Sequence, residues 1–532
     1  MLAGCTKVGT TGEGAAGGRH PWTKPGVLRI GFQNQPNTLN PLLAANTSEA
    51  NIDRFLFDCL VSIDERGNEV PMLAAVVPTQ ANGGISKDGL TITYHLRKGI
   101  VWSDGYPLTS KDVKFTWSAI LNRNNNVITQ TGYVLVKSVD TPDPTTVVFH
   151  MKQKFSPAID TLFGESDSPY EIVPEHVLGK LHDINNVPFN SDPVTSGPFK
   201  LKEWARGDHI TLIPNDNYFL GKPKLTELVL KFIPDENTEV NQLRTHDIDW
   251  QFEASPEEYN ELKTIADLRI VLQDRNEYER IQMNDAHPPL DDVRVRQAIA
   301  YTIDRARLVA KLTGGSALTA DQDLPPFMWA HASDVTKYPV DLGRARALLR
   351  QAGWVPGPDG DVVKNGQKLT LTTAYNVTNA TRRAGVVQVQ SMLKAVGIEV
   401  QIKAYQGALL FASMGQGGIL QNGRFDLAWT GWVAGFDPDQ SSSFLCSARP
   451  PNGNNSDFYC NSQLDAAEDA ALTNFDIPTR KKAYDRVESI LARDVPELPV
   501  WWPRQIQPLN PDFKNFTPNP VTETWNAYTW DI

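Results

Sequence analysis

Two kinds of patterning follow one another along this chain, and the change between them near Asp291 most constrains its fold. Before it, short alternating segments read as strands: residues 27–32, 91–96, 145–150, 209–213 and 225–233. One helix interrupts them, marked by a capping-box pattern at Thr109 and Asp112 with Val113, Trp117, Ile120 and Leu121 on one face. After Asp291, longer helices alternate with strands. Asp291 is placed to cap a helix whose Val295, Ala298, Ile299, Thr302, Ile303 and Ala306 share a face, and Asp341 another that stops at Gly353. Residues 369–375 and 398–402 read as strands around a helix closed by Gly397, and a last helix stacks Ala483, Val487, Ile490 and Leu491 before Pro496. This is mixed α/β patterning without a repeat, and its unequal halves predict lobes of different construction. With 532 residues, at roughly 100–200 per domain, two to four domains are expected.

Charge and motif content narrow the function. A net charge of −11, from 51 basic and 62 acidic residues, argues against nucleic acid or an anionic membrane surface as partner. No apolar run approaches the ~18 residues of a spanning helix. Gly12-Glu13-Gly14-Ala15-Ala16-Gly17 satisfies a dinucleotide-binding pattern in letters only, since it follows no strand and opens no helix. There is no HExxH, GxSxG or CxxC, and His176 with His182 lacks the i, i+4 spacing that puts two metal ligands on one helical face. No cofactor, resident metal or catalytic residue is implied. A hydrolase using paired carboxylates is a remote alternative, because 62 acids always supply pairs.

Four ordered segments carry a resemblance. They are Trp102-Ser103-Asp104-Gly105 with Pro107-Leu108-Thr109-Ser110-Lys111-Asp112-Val113; Thr195-Ser196-Gly197-Pro198-Phe199-Lys200-Leu201; Asp292-Val293-Arg294-Val295-Arg296-Gln297-Ala298 through Ile303-Asp304-Arg305; and Ala347-Leu348-Leu349-Arg350-Gln351-Ala352-Gly353-Trp354. Together they resemble family 5 of the extracellular solute-binding proteins, the peptide and nickel receptors of ABC importers, from about Val27 to Ile532. The resemblance implies an α/β, two-lobed periplasmic-binding-protein-like fold of the class II type with an additional domain. Domain I would comprise residues 27–63, 190–279 and 499–532, the extra domain II residues 64–189, and domain III, the second ligand-binding lobe, residues 280–498. It also implies a monomeric receptor that encloses a short peptide or other small polar solute between lobes and delivers it to an ABC permease. Oligosaccharide and chelated nickel or heme are the alternative ligands.

The first residues, Met1-Leu2-Ala3-Gly4-Cys5, resemble a bacterial lipoprotein signal in which the cysteine receives the lipid, and a Gly/Thr/Ala-rich tether follows to residue 26. An exported protein, periplasmic or at the cell surface and held to the membrane only through Cys5, is expected. Cys446 and Cys460 are spaced like a loop disulfide found in several family members, and Cys59 reads as a small buried residue.

Ligand candidates concentrate toward the C-terminus. Residues 425–432 read as a buried strand that carries Trp429 and Trp432 into the loop Val433-Ala434-Gly435-Phe436-Asp437-Pro438-Asp439, and residues at a strand end reach a crevice. In the family's peptide receptors a Trp here is followed three positions later by an aspartate that pairs with the ligand's α-amino group. This chain has Gly435 at that position. Either Asp437 substitutes from a shifted loop, or the ligand presents no amine there. Gln33, Asn34 and Asn46 after the first strand, Tyr375 and Asn376 at a strand end, and Trp501, Trp502 and Arg504 complete the candidate set, as aromatic faces, amides and a cation suited to an enclosed polar ligand. Trp525 and Trp530 read as core.

Overall fold

The computed structural model describes residues 19–164 and 170–532. Cys5 and the glycine-rich tether to residue 18 lie outside the described residues.

Val27–Phe32 is the centre of a seven-stranded sheet. Its Leu28, Ile30 and Phe32 are fully buried, and both neighbours, Trp250–Gln251 and Glu227–Phe232, run parallel to it. The strand is buried on both faces although Leu28, Ile30 and Phe32 alternate with Arg29 and Gly31, as a parallel central strand covered on both sides requires. Arg29 is tolerated there because its backbone N–H and guanidinium all donate to the Asp249 carboxylate, at 2.8–2.9 Å. Antiparallel strands extend the sheet on both sides: His209–Pro214 and Phe199–Ala205 on one, Arg504–Leu509 and Arg269–Asp274 on the other.

The second lobe is built on a six-stranded sheet in the order Leu318–Thr319, Glu497–Trp502, Glu277–Met283, Leu427–Val433, Thr370–Asn376, Glu399–Tyr405. Helices Val293–Thr302, Arg305–Leu312, Leu342–Gln351 and Ala380–Lys394 pack on it around a core that includes Ile299, Leu308, Leu349 and Leu393. Gly353 at φ 88° and Gly397 at φ 86° close two of these helices in the left-handed conformation that glycine adopts without penalty.

A three-stranded sheet, Thr91–His95, Thr146–Met151 and Val136–Asp143, carries the helix Ser110–Leu121. Thr109 and Asp112 form the expected capping box on that helix. Tyr94, Val113 and Phe149 from this unit share one hydrophobic core with Leu28 and Trp250 of the first lobe.

The reading from Asp291 needs one correction. Asp292 is the helix cap, its carboxylate accepting from the Arg294 N–H, and the helix ends at Thr302. Asp304 then caps a separate helix, Arg305–Leu312. The apolar spacing runs through the break because Ile303 and Leu308 are buried in the same core, so periodicity alone merges the two helices.

Two crossings join the lobes. Arg269–Asp274 passes into Glu277–Met283 through Arg275 and Asn276, and Glu497–Trp502 passes into Arg504–Leu509 through Pro503. Each crossing takes the chain directly from one large sheet into the other, which confines the flexible backbone to a few residues.

Candidate functional site

Between the lobes lie three cavities of about 490, 260 and 230 Å³. They share walls: Arg275 borders the first and second, and Val433 with Ala434 the second and third. The crossings therefore form the floor of a chambered cleft.

In the first cavity the wall from the second lobe is the start of the helix Ala380–Lys394, with the strand residues Glu277, Glu279 and Trp501 beneath it. Asn379 caps that helix by accepting from the Arg382 N–H at 2.8 Å. Arg382 and Glu279 form a two-point ion pair at 2.6 and 3.0 Å, and the same carboxylate accepts from Trp429 Nε1 at 2.7 Å. Glu257 of the first lobe faces this helix start and accepts from Thr381 Oγ1. Arg275 donates to Gln505 Oε1 at 2.9 Å, and its Nε lies 3.9 Å from Glu277. Burial disfavours the charged Arg275, but Glu523, Glu277 and Glu253 outweigh it and hold its pKa above the ordinary arginine value. Burial likewise pushes up all three carboxyls, Glu523 to about 7.

The third cavity is lined by Trp432, Gly435, Phe436 and Asp437 of the loop anticipated from sequence. Gly435 O accepts from Asn276 Nδ2 of the first crossing, and Phe436 packs with Ile63 and Met328. The Asp437 carboxylate is occupied: Arg480 Nη2 donates to both its oxygens, at 2.8 and 2.7 Å. That pair is buried, with side chains 5% and 8% exposed, so Asp437 already has its counter-charge.

The remaining candidates separate into cleft and core. Asn46 lines the second cavity while its side chain caps the helix Thr47–Leu56. Gln33 stands 3.5 Å from Glu236, a residue of the first cavity, whereas Asn34 is exposed and lines none of the three. Trp501 and Arg504 line the first cavity, and Arg504 Nε donates to Ser316 O at 2.7 Å across the second crossing. Trp502 packs on Tyr278 and donates to Asp323 O at 3.2 Å. Tyr375 and Trp429 are 5% and 1% exposed within the core of the second lobe, and Asn376 turns back to accept from Thr378 Oγ1 at 3.1 Å. The charged floor, Arg275 with Glu253, Glu277 and Glu523, was absent from the sequence-derived set. Its one sequence signal is Glu277-Tyr278-Glu279-Arg280, an unusually charged start to a strand that is largely buried.

Two α/β lobes joined by paired strand crossings over a chambered cavity define a two-lobed solute receptor. The description "bacterial extracellular solute-binding proteins, family 5, middle" matches residues 70–454, and the chain belongs to this family. It is similar to the oligopeptide-binding protein AppA of Bacillus subtilis, at 29% identity over 511 residues covering 95% of this chain and 91% of that protein. It is also similar to the glutathione-binding protein GsiB of Salmonella choleraesuis, at 28% identity, with 87% and 86% covered. The solved structure of Bacillus subtilis AppA with a nonapeptide superposes with a TM-score of 0.75 at 28% identity, covering 95% of this chain and 99% of that one. CtaP of Listeria monocytogenes, a substrate-binding protein of an ABC transporter, shares the fold with a TM-score of 0.82 at 24% identity, covering 96% and 99%.

Proposed function

We propose that this protein is the non-catalytic receptor of an ABC importer, capturing short peptides outside the membrane and handing them to the permease as a monomer. The observation that carries the reading is the cleft: three wall-sharing chambers offer an extended ligand successive side-chain pockets around one continuous path. Similarity to AppA over nearly the whole chain supports the same ligand class. Contacts from both lobes to one ligand favour the closed state, and that differential affinity is the only source of the signal read by a permease. The lobes already touch beside the cleft. Ser156 donates its N–H to Leu472 O and its hydroxyl to Ala471 O, at 2.8 and 2.9 Å.

The same reading places domain I at residues 27–63, 190–279 and 499–532, domain II at 64–189 and domain III at 280–498, with Cys5 as lipid anchor and Cys446–Cys460 as a disulfide of the exported protein. The test is mass spectrometry of small molecules released on denaturing protein purified from its native host. Peptides at near one equivalent support the reading; sugars or metal chelates at that stoichiometry, with calorimetrically silent peptide titrations, overturn it.

A further inference from the structure

Charge at the floor of the cleft does not balance. One guanidinium, Arg275, is faced by three carboxyls, Glu253, Glu277 and Glu523. Its Nη1 is committed to Gln505, and its Nε lies 3.9 Å from the Glu277 carboxylate. Glu523 is 0% exposed, and its carboxyl has the Asn51 side chain and its own backbone as polar neighbours. Glu253, which among the described residues has Ser48 Oγ at 3.3 Å as its side-chain hydrogen-bond partner, sits at φ 57°, a strained backbone region for a residue other than glycine. The neighbouring Arg382 is paired with Glu279 and also acts on Glu277, which leaves two guanidiniums, Arg275 and Arg382, against the four carboxyls Glu253, Glu277, Glu279 and Glu523. Buried negative charge of this kind is relieved by protons or by an incoming cation.

Of the three carboxyls, Glu277 alone lines the first cavity, and no hydrogen bond is made to it among the described residues. We propose that Glu277 is the counter-charge for an ammonium group of the ligand, held in the first cavity over Arg275, a guanidinium that Glu253 and Glu523 also share. This rests on the peptide reading, and the cleft-loop acid Asp437 is already bound by Arg480. The ammonium has two possible sources in a peptide, the α-amine and a lysine side chain.

Calorimetric titration of the full-length protein with tri- to pentapeptides in three forms separates these sources: free amine, N-acetylated, and N-acetylated with one lysine. The wild type is expected to bind the free-amine form about tenfold or more tighter than the N-acetylated form, the scale of a charge-assisted hydrogen bond. A recovery of affinity with lysine assigns the side-chain source. In Glu277→Gln the preference for the free amine collapses, and a circular-dichroism spectrum and melting midpoint matching wild type show that the variant is folded. An equal preference in wild type and variant, or a wild type indifferent to N-acetylation, overturns the assignment and leaves the peptide reading standing. A wild type that binds no peptide overturns that reading, and the assignment with it.

Discussion

At the scale of single residues, the ionic groups of the second lobe divide into those that stabilise and those left available. Arg480 is of the first kind. It binds Asp437 at the cleft loop, donates from Nε to Ala471 O at 3.2 Å, and lies over Trp329 with 5.2 Å to the ring centroid. Ala471 O also receives the Ser156 hydroxyl, so one guanidinium ties the cleft loop to the contact between lobes. Arg480→Met leaves the buried Asp437 carboxylate without its counter-charge, with the Asp439 N–H as its remaining donor, and a loss of about 3–5 kcal/mol in denaturant unfolding is expected. Asp437→Asn, which keeps a hydrogen-bond acceptor, is expected to lose less. Several buried carboxyls, by contrast, are raised chiefly by burial: Asp58, Asp285 and Glu523 to about 7 and Glu239 to about 8. Their folded pKa values exceed the unfolded value near 4, so the native state keeps protons that the unfolded chain releases. The stability they contribute is complete below about pH 4 and is lost as pH rises through about 7–8. Thermal melts are therefore expected to fall in midpoint from pH 6 to pH 9, and Glu239→Gln to flatten that slope; a midpoint that rises over this range contradicts the assignment of these protons.

Elements with a strong local signal were legible before the fold. The capping box at Thr109 and Asp112, the helix start at Asp341 and the stops at Gly353 and Gly397 all stand where local chemistry put them, because caps depend on neighbours within one turn. The break at Ile303 was hidden because tertiary burial continued the apolar spacing across it. Trp429 and Tyr375 show the same limit: a strand end that points toward a crevice and one that packs inward have similar residues, and only cross-strand neighbours such as Trp501, 5.4 Å from Trp429 ring to ring, distinguish them. The loop ahead of the helix Ser462–Leu472 is a further element with a local constraint. Cys446 and Cys460, separated by 14 positions, are joined in the structure, and closing a loop of that size stabilises by ~3 kcal/mol. Reduction, or the double change Cys446→Ser with Cys460→Ser, is expected to lower unfolding stability by about that amount while peptide affinity changes little, because neither cysteine lines the three cavities. Peptide mapping without reductant that finds both thiols free removes the basis for this expectation.

At the scale of the whole molecule, local patterning was blind to assembly. The large first sheet takes strands from the beginning, the middle and the end of the chain, and the charged floor of the cleft combines Glu253, Arg275, Glu277 and Glu523 from parts of the sequence with no mutual spacing rule. The resemblance of four ordered segments implied a first domain assembled from separated segments, but nothing in it pointed to the charged floor. Closure is likewise a property of the assembly. Glu257 of the first lobe meets the start of the helix Ala380–Lys394 in the second, where a carboxylate is favoured by the exposed N–H groups of the first turn and accepts the Thr381 hydroxyl. That contact exists only when the lobes are together, so it biases the open–closed equilibrium without requiring any contact with ligand. Removing the hydroxyl with Thr381→Val forfeits a hydrogen bond of about 0.5–1.5 kcal/mol, which weakens apparent affinity roughly two- to tenfold by lowering the closed population. Because encounter with the open cleft is unaffected, the change is expected in the dissociation rate, with association unaltered. Stopped-flow binding decides the matter: faster dissociation at an unaltered association rate supports the latch, and wild-type rates eliminate it.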